Sequence, residues 1–139
     1  MFNRPFDSQT KLLIRQETEA KLHIQQRIKE NKLKLVWSYI LDYENSFNPF
    51  IEKREAISLW KNEAFLAIQE TEELIKEAIM LMELGIKSKD ALHLASALSA
   101  RADYFITTDI SFLKKTEGIK NIGCINPVNF LYILEEYGI

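Results

Sequence analysis

Cysteine is nearly absent from the sequence, since Cys124 is the only one among 139 residues. No internal disulfide can form, and one cysteine with two histidines does not supply a structural zinc site. Such sparse cysteine is typical of a reducing compartment, so we expect a cytoplasmic protein. Glycine and proline are also scarce, at 4 and 3 residues, and helices are therefore expected to dominate.

A large charge excess and a long apolar run are missing as well. The 18 basic and 20 acidic residues give a net charge of −2, which argues against a protein that coats nucleic acid without regard to sequence. The balance still allows an enzyme that grips nucleic acid through a local basic patch. No run has membrane length, and residues 1–11 lack the features of a signal peptide, so we expect no membrane partner.

What is present suits one globular domain, residues 1–139, with 47% hydrophobic residues available for a core. Helical spacing of apolar residues predicts helices, and short apolar or β-branched runs predict strands. The alternation of the two predicts an α/β fold with a mostly parallel sheet. The predicted helices cover 11–30, 39–47, 51–68, 71–85, 89–102 and 127–138, and the predicted strands cover 33–37, 104–109 and 123–126.

Residues that favour helix starts mark several boundaries. A turn-like segment at 3–10 would end with Asp7 or Ser8 as the N-cap of the first helix. Ser38 and Ser88 are expected to cap later helices, and Pro127 suits the first position of the last one.

Three acids are candidates for chemistry, although each also has a purely structural interpretation. Asp90 lies in the first turn of a helix, where the helix dipole stabilises a carboxylate. Asp109 follows a predicted strand and fits the N-cap of a next helix as well as it fits a site. Glu44 alone fits a solvated helix surface. If the three converge at the carboxyl ends of parallel strands, their repulsion would be relieved by a cation, and oxygen ligands favour Mg²⁺ or Mn²⁺.

The stretch KSKDALHLASALSARADYFITTDISFLKK, residues 87–115, resembles the second half of PIN-domain ribonucleases, especially VapC-like toxins of toxin–antitoxin modules. The segment LVWSYILDYENSFNPF, residues 35–50, resembles the part of that family in which a strand and a serine lead into a helix with a catalytic glutamate. The resemblance covers nearly the whole chain and is most specific from Asp90 to Asp109.

The resemblance implies a PIN-like three-layer α/β/α sandwich and metal-dependent cleavage of RNA phosphodiesters. Glu44, Asp90 and Asp109 match catalytic and metal-binding positions, with Mg²⁺ or Mn²⁺ as the cofactor, and Thr108 matches a supporting hydroxyl. The implied partners are an RNA substrate, a cognate antitoxin and a second copy in a homodimer. Five basic residues flank the acidic motifs and either contact RNA phosphates or form a solvated face: Lys87, Lys89, Arg101, Lys114 and Lys115.

The family also has an N-terminal central strand that ends in an aspartate, and this sequence does not show that strand. Asp7 follows the turn and does not match the aspartate. We therefore expect unpaired strand edges beside 33–37 or 104–109, with exposed apolar surface. A catalytically weak or inactive PIN-like protein, acting as a binding module or remnant, is the alternative function. A third interpretation is an unrelated α/β domain whose three acids are helix caps lying far apart.

Two other residues favour structural roles. His93 lies on a largely apolar helix, which favours a packed or hydrogen-bonded histidine over a catalytic base. Cys124 has no Cys/His/Asp arrangement around it in sequence, which favours a core residue over a nucleophile.

Overall fold

A computed structural model describes the backbone of residues 4–139 and the side chains of residues 10–139. Helices and short parallel strands both occur along this range, which makes the protein mixed α/β. The elements are α1 Arg4–Lys29, β1 Leu35–Ser38, α2 Tyr39–Ser46, α3 Ile51–Trp60, β2 Ala64–Ile68, α4 Glu72–Met82, α5 Ser88–Ser99, β3 Tyr104–Ile106, α6 Ile110–Lys115, β4 Gly123–Ile125 and α7 Pro127–Glu136.

Local capping chemistry sets several helix starts as expected. The Ser38 hydroxyl accepts a hydrogen bond from the Ile40 amide at 3.2 Å and caps α2. The Thr71 hydroxyl accepts from the Leu74 amide at 3.1 Å and caps α4, so Thr71 precedes the helix in which it was predicted to lie. Pro127 occupies the first turn of α7, as predicted.

Four local predictions are wrong. Residues 4–10 belong to α1 instead of a turn, since a proline is tolerated in the first turn of a helix, where its missing N–H has no intrahelical partner. Neither Asp7 nor Ser8 is therefore the N-cap. Ser88 is the first residue of α5, and the extended residue before it is Lys87. The strand expected over 104–109 ends at Ile106, and Asp109 is the N-cap of the next helix.

The helix predicted over 51–68 is the fourth error, because its last part is the strand β2. A 3₁₀ turn at Lys61–Glu63 separates α3 from β2. Short apolar runs such as Ala64–Ile68 do not distinguish a helix from a strand by periodicity. Parallel pairing with β1, with Val36 opposite Leu66 and Ser38 opposite Ile68, decides the conformation here.

The strands form two separate parallel pairs, so the single sheet that we expected is not formed by the described residues. One pair joins β1 to β2, and the other joins β3 to β4 with Phe105 opposite Cys124. Within the described residues, β1 and β3 each have one edge without a neighbouring strand. Open edges on β1 and β3 agree with the unpaired strand edges expected beside 33–37 or 104–109.

The helix α5 lies at the centre of the larger hydrophobic core. Its Ala91 and Leu94 are fully buried, and α4 packs along it through Leu74 and Ala78. Phe105 of β3 packs against this core, whereas Ile106 packs against a second cluster around Ile24, Phe130 and Leu134 of α1 and α7. Helices therefore contact both faces of the β3–β4 pair. Among the described residues, no helix has both the length and the apolar character needed to cross a bilayer.

Candidate functional site

The carboxylate of Glu44 contacts the imidazole of His93, which joins α2 to α5. The contact joins Glu44 Oε1 to His93 Nε2, and the Glu44 side chain is 41% exposed. The capping serine Ser38 fixes the start of α2 beside Ser96 of α5, with 3.3 Å between their hydroxyl oxygens. His93 is thus a hydrogen-bonded histidine, in agreement with its structural interpretation.

Asp90 lies one helical turn before His93 on α5 and is partly buried. Residues three apart on a helix are surface neighbours, so Asp90 lies on the part of α5 that faces Glu44. Next to it, the Lys89 ammonium is 5.9 Å from the centre of the Tyr43 ring of α2. The carboxyl half of α2 therefore lies against the amino half of α5, and this brings Glu44 and Asp90 into one region.

Asp109 performs the capping role that its position after β3 also suggested. Its Oδ1 accepts a hydrogen bond from the Phe112 amide at 3.1 Å at the start of α6. The Asp109 amide donates to the Thr107 hydroxyl at 3.1 Å, which orders the turn between strand and helix. Thr108, the predicted supporting hydroxyl, is exposed, and Thr107 is the threonine that holds this backbone. Because Thr107 and Thr108 are adjacent and identical, the sequence alone did not indicate which hydroxyl contacts the backbone of Asp109.

Carboxylate oxygens suit Mg²⁺ or Mn²⁺, but the acids as placed do not form a ready set of ligands. No group of three or more acidic, histidine or cysteine side chains is close enough to hold a metal ion within the described residues. Glu44 is engaged by His93, and Asp109 already uses one oxygen as a helix cap. A cation at Glu44 would have to compete with His93 for the same carboxylate.

The basic residues around the motifs are partly engaged in the fold. The Lys115 ammonium donates to the Gly85 carbonyl at 2.9 Å, and Gly85 has a φ of 90°, which closes the turn between α4 and α5. Lys89 lies over Tyr43. These lysines are therefore tied to the same end of α5 that carries Asp90.

A groove of about 760 Å³ opens between β1 and β3, and its lining includes His93 and Ser96 of α5. Val36 of β1 and Ile106 of β3 line it from the two strand pairs. His93 therefore lines an apolar groove and also contacts Glu44. Residue spacing did not predict this link, because His93 and Glu44 are 49 positions apart.

No family model, curated protein or solved structure matches the chain. Its class is given by its own fold, a mixed α/β protein with two short parallel strand pairs.

Proposed function

We propose that the chain is a PIN-like protein of the VapC-like toxin type, which hydrolyses RNA phosphodiesters with Mg²⁺ or Mn²⁺. The observation that carries the proposal is the folded form of residues 87–115, where Asp90 lies in the first turn of α5 and Asp109 follows β3 as the N-cap of α6. A three-layer α/β/α arrangement is part of the proposal, and helices packed on both faces of β3 and β4 support it.

The path of the chain supports a common location for Asp90 and Asp109. After α5 the backbone turns sharply, with the Ala102 amide bonded to the Ala97 carbonyl at 3.0 Å, and β3 runs back along the helix. The contact between Lys115 of α6 and Gly85 returns the chain to the start of α5. We propose that both aspartates lie near the amino end of α5.

Glu44 is linked to α5 through His93, and the proposal places it in the same region, although the described residues contain no group of three such side chains close enough to hold a metal ion. The nearby lysines would attract RNA phosphates. In this proposal the chain acts in the cytoplasm on exposed RNA segments, is held by a cognate antitoxin and forms a homodimer.

RNA cleavage tests the proposal directly. The full chain is incubated with single-stranded RNA and Mg²⁺ or Mn²⁺ and compared with Asp90→Asn, with Asp109→Asn and with Glu83→Gln as a matched control. We expect both aspartate variants to lose at least about a hundredfold in rate, the lower end of what one catalytic group contributes, and the control to keep full activity. Equal cleavage by all four proteins would show that these acids are not the site.

A second candidate function is binding of RNA or of a partner protein without cleavage. The engagement of the Glu44 carboxylate by His93 favours it, since that carboxylate is already occupied. RNA binding that persists without cleavage in either metal would support this candidate and contradict the nuclease.

A further inference from the structure

The outer edge of β3 carries main-chain groups that β4 does not use. The Thr107 amide donates to the Ile125 carbonyl at 3.0 Å, and the Gly123 amide donates to the Asp103 carbonyl at 3.0 Å. Because successive residues of a strand direct their main-chain groups to opposite edges, Tyr104 and Ile106 direct theirs away from β4. Within the described residues, no backbone partner meets those groups.

The two open edges belong to strands that run in the same direction. Ser38 ends β1 beside Ser96, and α2 then continues toward His93, which lies closer to the amino end of α5. β3 starts just after the carboxyl end of α5, and the chain that follows it returns to Gly85 before that helix. Both strands therefore run antiparallel to α5, and a strand placed between them is parallel to both.

The groove between these edges is lined mainly by apolar side chains. Ala97 of α5 and Ala100, which follows its last residue, line one side, and these small residues leave space above the helix. Ile24 and Phe130, from α1 and α7, line the opposite side. A segment in the groove would meet helices on both faces, which is the environment of a parallel strand with a continuous apolar sequence.

From this geometry we propose that the groove between β1 and β3 binds an extended apolar polypeptide segment as a parallel strand, joining both pairs into one sheet. The segment spans about four residues, since β1 has 4 residues and β3 has 3. Its main-chain groups pair with the open edges, and its side chains fill the apolar lining, as in recognition by strand addition. An apolar small molecule fills the space but shields the main-chain groups of the open edges from water without pairing with them, which is unfavourable. This proposal does not depend on the ribonuclease activity.

A pair of peptides tests the pairing. The first is a fluorescent, acetylated and amidated Lys-Val-Val-Ile-Val-Lys peptide, and the second has the same side chains with N-methyl groups on alternate residues. N-methylation removes N–H donors along one edge, so we expect at least about a tenfold loss of affinity, equal to 1.4 kcal/mol. Equal affinity for the two peptides, or no binding of either, would overturn the proposal.

Matched variants at the carboxyl end of α5 locate the binding. Ala100→Trp places a large ring in the groove, and Ser99→Trp places the same ring on the exposed neighbouring position, which lines a different cavity. We expect Ala100→Trp to weaken peptide binding about tenfold or more and Ser99→Trp to leave it unchanged. The reverse order, or no effect of either variant, would contradict the groove as the site.

Amide hydrogen exchange of the unaltered chain gives a measurement that does not depend on any variant. Peptide addition should slow exchange at Tyr104 and Ile106, while Thr107, already bonded to β4, should change little. Unchanged exchange at Tyr104 and Ile106 would contradict strand pairing. If the chain self-associates and the peptide competes with that association without slowing these amides, the occupant is a second copy and the proposal is wrong.

Discussion

Glu44 and His93 are 49 residues apart in sequence and form a contact between α2 and α5. His93 also lines the groove between β1 and β3. In this pair, the carboxylate of Glu44, a predicted metal ligand, is held by the imidazole of His93. A histidine that donates to a carboxylate orients it, but it also competes with any cation for the same oxygen. The relation between these two side chains therefore decides how readily Glu44 serves a metal ion.

His93→Ala is expected to strengthen Mn²⁺ binding by the chain. Releasing Glu44 removes a partly exposed pair worth about 0.2–1 kcal/mol, equal to about 1.5- to 5-fold in affinity. Isothermal titration calorimetry with Mn²⁺ measures the change. His23→Ala, an exposed histidine on α1, is the control and should bind like the unaltered chain. Weaker binding after His93→Ala would mean that His93 supports the site.

Two substitutions at Asp109 separate its cap from its chemistry. Asp109→Ala loses the hydrogen bond from Phe112 and should lower the free energy of unfolding by about 0.5–2 kcal/mol, whereas Asp109→Asn retains a capping oxygen. Chemical denaturation measures stability, and RNA cleavage measures chemistry. If Asp109→Asn is stable and still cleaves RNA at the full rate, Asp109 is a helix cap only.

Leu94→Ala tests the core around α5. Leu94 is 0% exposed, and its truncation should cost about 2–5 kcal/mol through lost burial and the cavity left behind. Leu84→Ala, at a position that is 49% exposed, should change stability by about 0.5 kcal/mol or less. Urea denaturation of both variants gives the comparison. Similar losses at the two positions would contradict the central place of α5.

The ring of Tyr104 is expected to leave no space for a side chain at Gly123. A Cβ atom at Gly123 would lie 2.9 Å from Cδ1 of Tyr104, which forces the ring or the strand to move. Gly123→Ala should therefore cost about 1–3 kcal/mol as an overpacked site, and less in a Tyr104→Ala background. A double-mutant cycle by denaturation measures this coupling. Purely additive effects would place the cost in the backbone of β4.

Burial raises the pKa of the Cys124 thiol, and a hydrogen bond with Thr116 only partly offsets this. A raised pKa in the folded state means that the linked stability is complete below the unfolded-state pKa and decreases as the pH rises through it toward the folded-state pKa. We expect the unaltered chain to lose more stability than Cys124→Ser between pH 7 and pH 10. Denaturation at several pH values checks this, and parallel curves would contradict the burial of the thiol.

Contacts between near neighbours in sequence were predictable from the chain itself. The cap at Ser38 is a hydrogen bond to the amide two residues later, so residue type and position identify it. The long apolar periodicity of α1 and α5 likewise predicts helices, because one face must be buried. The sequence also indicated that Asp109 fits either a helix cap or a site residue, and its capping hydrogen bond is confirmed.

Contacts between distant segments required the fold. β2 is a strand because β1 pairs with it, whereas its own short apolar sequence does not distinguish a strand from a helix. The same dependence applies to the division of the strands into two pairs, since pairing is a property of two segments and not of either sequence alone. The Glu44–His93 contact and the groove between β1 and β3 arise because α5 packs beside both strand pairs. Local hydrogen bonding and periodicity therefore specified most of the helices, while packing across long sequence separations specified β2, the strand pairing and the groove.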